Sequence, residues 1–92
     1  MENKEQDVDK NIGAGKCFLM IEPRGMRNSG AIARRIARCE GVREVHLTSG
    51  RYGFVVAANT SADKGADEIS SAVKKVSGAR NMNVAVSHMV YR

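Results

Sequence analysis

The chain is 92 residues long, 42% apolar and without tryptophan, a composition that suits one small globular domain. A domain of this size buries only about two-thirds of its unfolded surface and gains stability by association. No apolar run approaches the ~20 residues of a membrane span, and the amino terminus has no hydrophobic signal core, so we expect a cytoplasmic protein without a membrane partner. Residues 16–92 hold 13 Lys and Arg against 6 Asp and Glu, a net charge of +7, which is compatible with nucleic acid or an acidic partner but establishes neither.

The first fifteen residues are polar, lack periodicity and end in Ile-Gly-Ala-Gly. The sequence therefore predicts a disordered tail over 1–15 and one domain over 16–92. Cys17 and Cys39 stand in no metal-ligand spacing with each other or with a histidine, so we expect reduced thiols, no metal and no cofactor. No Ser/His/Asp or Cys/His set is present, and we do not expect an enzyme.

The domain begins with a strand and a helix. Residues 17–21 form a continuous apolar run that Glu22 and Pro23 end, which predicts a buried strand. Apolar side chains at helical spacing over 30–39, followed by Gly41, then predict an amphipathic helix that ends at a glycine.

The rest of the domain continues with two strands, a helix and a strand. Alternating polarity over 43–48 predicts a strand with one solvated face, and residues 54–58 form a second unbroken apolar strand. A helix that starts at residue 60 or 61 and ends at Gly78 follows, and the last strand is predicted from about residue 82 to 91.

The order βαββαβ predicts an α+β ferredoxin-like fold, in which a four-stranded antiparallel sheet carries two helices on one face. Both central strands are apolar on both faces, whereas two helices bury only one face. The other face would expose an apolar patch of roughly several hundred Å², which soluble monomers seldom do. We therefore expect a second subunit to cover it, in a homodimer or a higher assembly. The interface residues predicted on this basis are Phe18, Met20, Phe54 and Val56.

An alternative interpretation assigns the same sheet to nucleic acid. Residues 52–55 match the centre of the octapeptide on which RNA-recognition domains stack bases, although Ala57 replaces its final aromatic residue. In this interpretation the protein binds RNA or another single strand through three rings and three arginines. These residues are Phe18, Tyr52, Phe54, Arg27, Arg34 and Arg38.

Residues 41–45 read Gly-Val-x-x-Val, and residues 49–52 read Ser-Gly-x-Tyr ahead of an apolar strand. With the order βαββαβ, this pattern resembles the effector-binding (RAM) domain of Lrp/AsnC transcription regulators over nearly all of 16–92. The resemblance implies a homodimer formed through the sheets, association with a full-length regulator, and binding of a small molecule such as an amino acid near the second hairpin.

The ligand residues that the resemblance implies lie on this hairpin. They are Ser49, Gly50, Arg51, Tyr52 and Gly53. Gly53 stands where the family usually places an aspartate, a natural partner for the ammonium group of a ligand. The resemblance therefore leaves the amino-acid specificity open.

Overall fold

The computed structural model of the protein describes residues 15–25, 27–89 and 91. The predicted tail over 1–15 therefore lies outside the described residues, except for its last position. The elements in chain order are β1 (Lys16–Glu22), α1 (Ser29–Ala37), β2 (Val42–Leu47), β3 (Phe54–Asn59), α2 (Ala66–Ser77) and β4 (Asn81–Ser87).

The four strands form one antiparallel sheet in the order β2-β3-β1-β4. β1 and β3 are the central strands; β1 pairs along its whole length with β4 on one side and, except for Glu22, with β3 on the other. This arrangement confirms the predicted ferredoxin-like α+β fold. None of the helices in the described ranges is long and apolar enough to cross a membrane.

The core lies between the sheet and the two helices. Alternate residues of β1 point into it, and Cys17, Leu19 and Ile21 are fully buried. Because directly opposed residues of antiparallel strands point to the same face, Phe54 and Val56 of β3 join them. Full burial of each large side chain stabilises the fold by about 1.5–3 kcal/mol. The helices contribute Ile36, Ile69 and Val73 to this core.

α2 starts later than the sequence pattern predicts. The predicted first turn, at residues 60–61, is a separate turn in which Ser61 and Lys64 exchange backbone hydrogen bonds of 2.8 and 3.3 Å. The helix begins after Gly65, whose N–H donates to the Glu68 carboxylate at 3.0 Å. This bond satisfies an amide at the start of the helix that has no partner within the helix. Gly78, in the left-handed conformation, ends the helix as predicted.

β4 is shorter than predicted and ends at Ser87. Ser87 pairs with Lys16, which is the first residue of β1. Among the described residues, β4 therefore ends level with the first residue of β1.

Gly41, between α1 and β2, occupies a position that only glycine fits. Its φ is +93°, and a Cβ atom there would lie 2.9 Å from both the carbonyl oxygen of Asn59 and Cδ1 of Ile69. Asn59 also donates its backbone N–H to the Gly41 carbonyl at 2.7 Å. A side chain at 41 would therefore strain its own backbone and push β3 away from α2.

Gly41→Ala should reduce the free energy of unfolding more than Gly78→Ala, which is the matched control. Gly78 also has a positive φ, of +60°, but a Cβ atom there meets nothing within 4 Å. The control loses about 1–2 kcal/mol for the left-handed backbone alone, and Gly41→Ala loses about 1–3 kcal/mol more for the overpacking. Urea denaturation measures both values, and equal losses would contradict the close contacts at Gly41.

Candidate functional site

The face of the sheet opposite the helices is called the open face below. Along each strand, the side chains that point to this face alternate with the buried ones. On β1, Phe18 and Met20 form its centre, and Phe18 is 38% exposed. Val55 and Ala57 of β3 lie beside them. No described element covers these side chains. The open face comprises Lys16, Phe18, Met20, Glu22, Glu44, His46, Val55, Ala57, Asn59, Asn81, Asn83, Ala85 and Ser87.

The structure corrects half of the predicted interface. Phe18 and Met20 lie on the open face, but Phe54 and Val56 are fully buried on the opposite face, against the helices. The apolar residues of β3 on the open face are Val55 and Ala57 instead. The error arises because β3 is apolar on both faces, so its sequence does not show which alternate set points toward the helices.

The same geometry removes the basis of the nucleic-acid interpretation. Phe54 has no exposed surface on which a base could stack. Phe18 and Tyr52 lie on the open side of the sheet, whereas Arg34 and Arg38 are exposed on and beside α1, on the other side. The rings and the arginines of α1 therefore do not form one surface. Of the remaining predicted residues, Arg27 is exposed in the loop before α1.

The predicted ligand residues form the turn between β2 and β3. The Thr48 backbone N–H donates to the Gly53 carbonyl at 2.9 Å, and the Thr48 hydroxyl donates to the Tyr52 carbonyl. Gly50 adopts a φ of +95°, which favours glycine at this position. Together these features close the hairpin tightly and hold residues 51 and 52 at one end of the open face.

The hairpin is joined to β1 and β4 by polar side chains. Asn83 donates to the Tyr52 hydroxyl at 2.7 Å, so the tyrosine bridges β1 and reaches β4. The Arg51 guanidinium lies 5.5 Å from the centre of the Tyr52 ring and donates through Nε to Glu22 at 3.3 Å. Asn81 donates to the same Glu22 oxygen, Oε1, at 2.9 Å. These five residues form one cluster, called the hairpin cluster below.

The charge of Glu22 is stabilised within this cluster. The hydrogen bond from the Asn81 amide is the main cause that lowers the pKa of the Glu22 carboxyl, and the hydrogen bond and charge of Arg51 lower it further against the opposing effect of desolvation. Both donors bind Oε1. Glu22 is therefore a carboxylate whose second oxygen, Oε2, has no hydrogen-bond partner among the described residues.

Sequence reasoning found Arg51 and Tyr52 but missed Glu22, Asn81 and Asn83. One signal was available, because alternation along β1 places Glu22 on the same face as Phe18 and Met20. The two asparagines could not be found in this way, since their position opposite Glu22 and Met20 depends on the register between β1 and β4.

A cavity of about 360 Å³ lies at the opposite end of the open face. Phe18 and Ala57 form its apolar floor, and Lys16 and Arg43 bring two positive charges to its wall. Arg43 is at an irregularity in the pairing of β2 with β3, where the register shifts between Val42 and Glu44. Such bulges redirect side chains out of the regular alternation of a strand. The open face therefore has a cationic end, where Lys16 and Arg43 outnumber Glu44, and at its other end Glu22 is paired with Arg51.

Among the described residues, no group of three or more potential metal-ligating side chains comes together. Cys17 and Cys39 are free thiols, and burial raises the pKa of both.

No family model and no curated protein matches this sequence. Solved structures of other proteins share its fold, and three of them are AsnC, a feast or famine regulatory protein and TTHA0845. AsnC of E. coli is 16% identical, with 100% of this chain aligned to 62% of AsnC at a TM-score of 0.66. The feast or famine regulatory protein of M. tuberculosis, complexed with L-methionine, is 13% identical, with 80% of this chain aligned to 52% of that protein at a TM-score of 0.61. TTHA0845 of Thermus thermophilus is 23% identical, with 85% of this chain aligned to 94% of that protein at a TM-score of 0.64.

These likenesses confirm, at the level of the fold, the predicted resemblance to the effector domain of Lrp/AsnC regulators. The chain spans about half to two-thirds of the length of the two named regulators. It covers nearly all of TTHA0845, so a chain of similar length has the same fold.

Glu22→Gln should reduce the change of the free energy of unfolding with pH in the acidic range. The folded-state pKa of Glu22 is lowered from its ordinary value of 4.5, so its contribution is present above that pH and is lost as the pH falls through the lower folded-state value. Urea denaturation at about pH 6 and pH 3 should show a smaller loss for the variant than for the natural chain.

Asn81→Ala serves as the companion variant, because it removes the main cause of the shift while keeping the carboxylate. It should also reduce the pH dependence. An unchanged pH dependence in both variants would contradict a stabilised carboxylate at position 22.

Proposed function

We propose that the protein is a self-associating effector-type domain that forms a homodimer through the open face. The observation that carries this proposal is the apolar centre of that face: Phe18, Met20, Val55 and Ala57 have no covering element among the described residues. A second sheet packed at a spacing of about 10 Å removes this patch from water. The small side chains of Ala57 and Ala85 allow the close approach.

The likeness to regulators of the AsnC type supports the same proposal, since their fold is the fold of this chain. Under this proposal the protein acts through assembly rather than through chemistry. A full-length regulator that carries an effector domain of the same fold is a second possible partner, because its sheet would present a face of the same shape. Formation of such a mixed assembly would change how many regulator subunits associate with one another.

Under the same proposal the hairpin cluster binds a small molecule of the amino-acid class, the class to which the L-methionine in complex with the M. tuberculosis protein belongs. Arg51 has an exposed guanidinium, which is suited to a ligand carboxylate. Gly53 supplies no carboxylate for the ligand ammonium group. The missing charge-assisted hydrogen bond is worth roughly 1.5–3 kcal/mol, which lowers the affinity for an amino acid about tenfold to a hundredfold.

Ala57→Glu should dissociate the dimer, whereas Leu47→Glu should leave it intact. Ala57 lies at the centre of the open face, where each dimer would take two new carboxylates out of water and the longer side chains would hold the sheets apart, so the dissociation constant should rise at least about a hundredfold. Leu47 is 54% exposed but pairs with Phe54, on the helix side of the sheet. It is therefore the matched control for adding a charge.

Sedimentation velocity at micromolar concentration measures the outcome, with circular dichroism as the check on folding. A natural chain that sediments only as a monomer would end the proposal. If Leu47→Glu dissociated the dimer and Ala57→Glu had no effect, the interface would lie elsewhere than on the open face.

L-methionine and its deaminated analogue, which retains the carboxylate, should bind with affinities that differ by less than about tenfold. The reason is that position 53 offers no carboxylate to the ammonium group, and the carboxylate of Glu22 in the same cluster is already bound by Arg51 and Asn81. Arg51→Ala should weaken both ligands about equally, because it removes the partner of the shared carboxylate. Calorimetric titration measures both affinities. A much tighter L-methionine complex would show that another acidic residue binds the ammonium group.

A further inference from the structure

We propose that the two copies in the dimer stack their β1 strands antiparallel, so that Lys16 of each chain pairs with Glu22 of the other. The two-fold axis then passes between the sheets at the level of Leu19. This inference rests on the proposed dimer and adds its geometry, which decides the side chains that meet.

Symmetry leaves two arrangements for sheets packed face to face with their strands aligned. The two-fold axis lies in the plane between the sheets, either along β1 or across it. An axis along β1 places each residue above its own copy, so that Lys16 faces Lys16 and Glu22 faces Glu22. An axis across β1 reverses the strand and places Lys16 above Glu22. Like charges held together in an interface are unfavourable, and opposite charges are favourable, which selects the second arrangement.

The apolar residues fix the position of this axis along the strand. With the axis at Leu19, Phe18 of one chain lies over Met20 of the other, and Val55 lies over Ala57, because these residues share levels in the sheet. A slip to the next residue of the same face would place either Lys16 over Met20 or Glu22 over Phe18. Each slip buries a charge against an apolar side chain, which is costly without a partner.

The distances are compatible with the proposed ion pair. Lys16 and Glu22 each lie three residues from Leu19, or about 10 Å along the strand. The usual rotation of about 30° between packed sheets displaces the ends of the strands by about 5 Å. The flexible four-carbon stem of lysine accommodates this displacement across a gap of about 10 Å.

The cavity at the cationic end is suited to receive the carboxylate of the second copy. Lys16 and Arg43 line it, and Phe18 lies on its floor. Glu44 also lines the cavity, but its carboxylate lies 3.0 Å from His46 in the same chain. At the other end of β1, Arg51 and Asn81 both bind Oε1 of Glu22, which leaves Oε2 free among the described residues to accept from Lys16 of the second copy.

A charge-exchange experiment at low ionic strength tests this geometry, because salt screens such pairs. Lys16→Glu and Glu22→Lys should each weaken the homodimer at least about tenfold, since each creates two like-charge contacts per dimer. An equal mixture of the two variants should form a heterodimer with a dissociation constant within about threefold of the natural homodimer. Both opposite-charge pairs are restored in the heterodimer only. One variant is produced with nitrogen-15, so that native mass spectrometry distinguishes the heterodimer by its mass, because Lys and Glu themselves have nearly equal masses.

Glu22→Lys also removes the bonds to Arg51 and Asn81, so a second comparison avoids it. Lys16→Glu combined with Glu22→Gln should dimerise more tightly than Lys16→Glu alone, because the carboxylate introduced at position 16 then meets a neutral amide instead of a second carboxylate. A dimeric natural chain with neither the heterodimer nor this rescue would overturn the antiparallel register and leave the proposed dimer standing. A monomeric natural chain would overturn both.

Discussion

The central position of β1 is the constraint on which the rest of the structure depends. This strand pairs on both edges and carries apolar side chains on both faces. Its inner face receives the two helices, and Cys17, Leu19 and Ile21 are fully buried there. Its outer face is apolar at Phe18 and Met20 but has no cover within the described residues. A strand of this kind needs two layers, and the described residues supply only one of them.

The charged residues at the ends of the open face restrict the orientation of a second sheet, which the apolar centre alone does not. At one end, Lys16 and Arg43 line a cavity. At the other end, Arg51 and Asn81 hold Glu22 ionised and fixed in position. On this face β1 is therefore apolar in the middle and carries side chains of opposite charge, Lys16 and Glu22, at its two ends. An apolar patch alone would allow several orientations of a second sheet, whereas the charges disfavour most of them.

The order and type of the elements could be predicted from the sequence, because apolar runs, helical spacing and glycines after helices are local signals. Local signals did not place the start of α2, where the turn at Ser61 and Lys64 competes with the helix. They also could not determine which side chains of β3 point toward the helices, because Val55 and Val56 are equally apolar and only the packing against the helices distinguishes them. The pairing of Asn83 with Tyr52 was beyond sequence reasoning for a similar reason, since it joins residues 31 positions apart.

The hairpin cluster gives the proposed function a physical route from ligand to assembly. Arg51 binds Glu22 in this structure and would bind a ligand carboxylate through the same guanidinium. A ligand that draws Arg51 away leaves Glu22 with one fewer cation, and this carboxylate then gains more from Lys16 of the second copy. Ligand binding and association would in this way strengthen each other, and by thermodynamic linkage the effect on the two affinities is equal. The residue that couples them is Glu22, which belongs both to the hairpin cluster and to the open face.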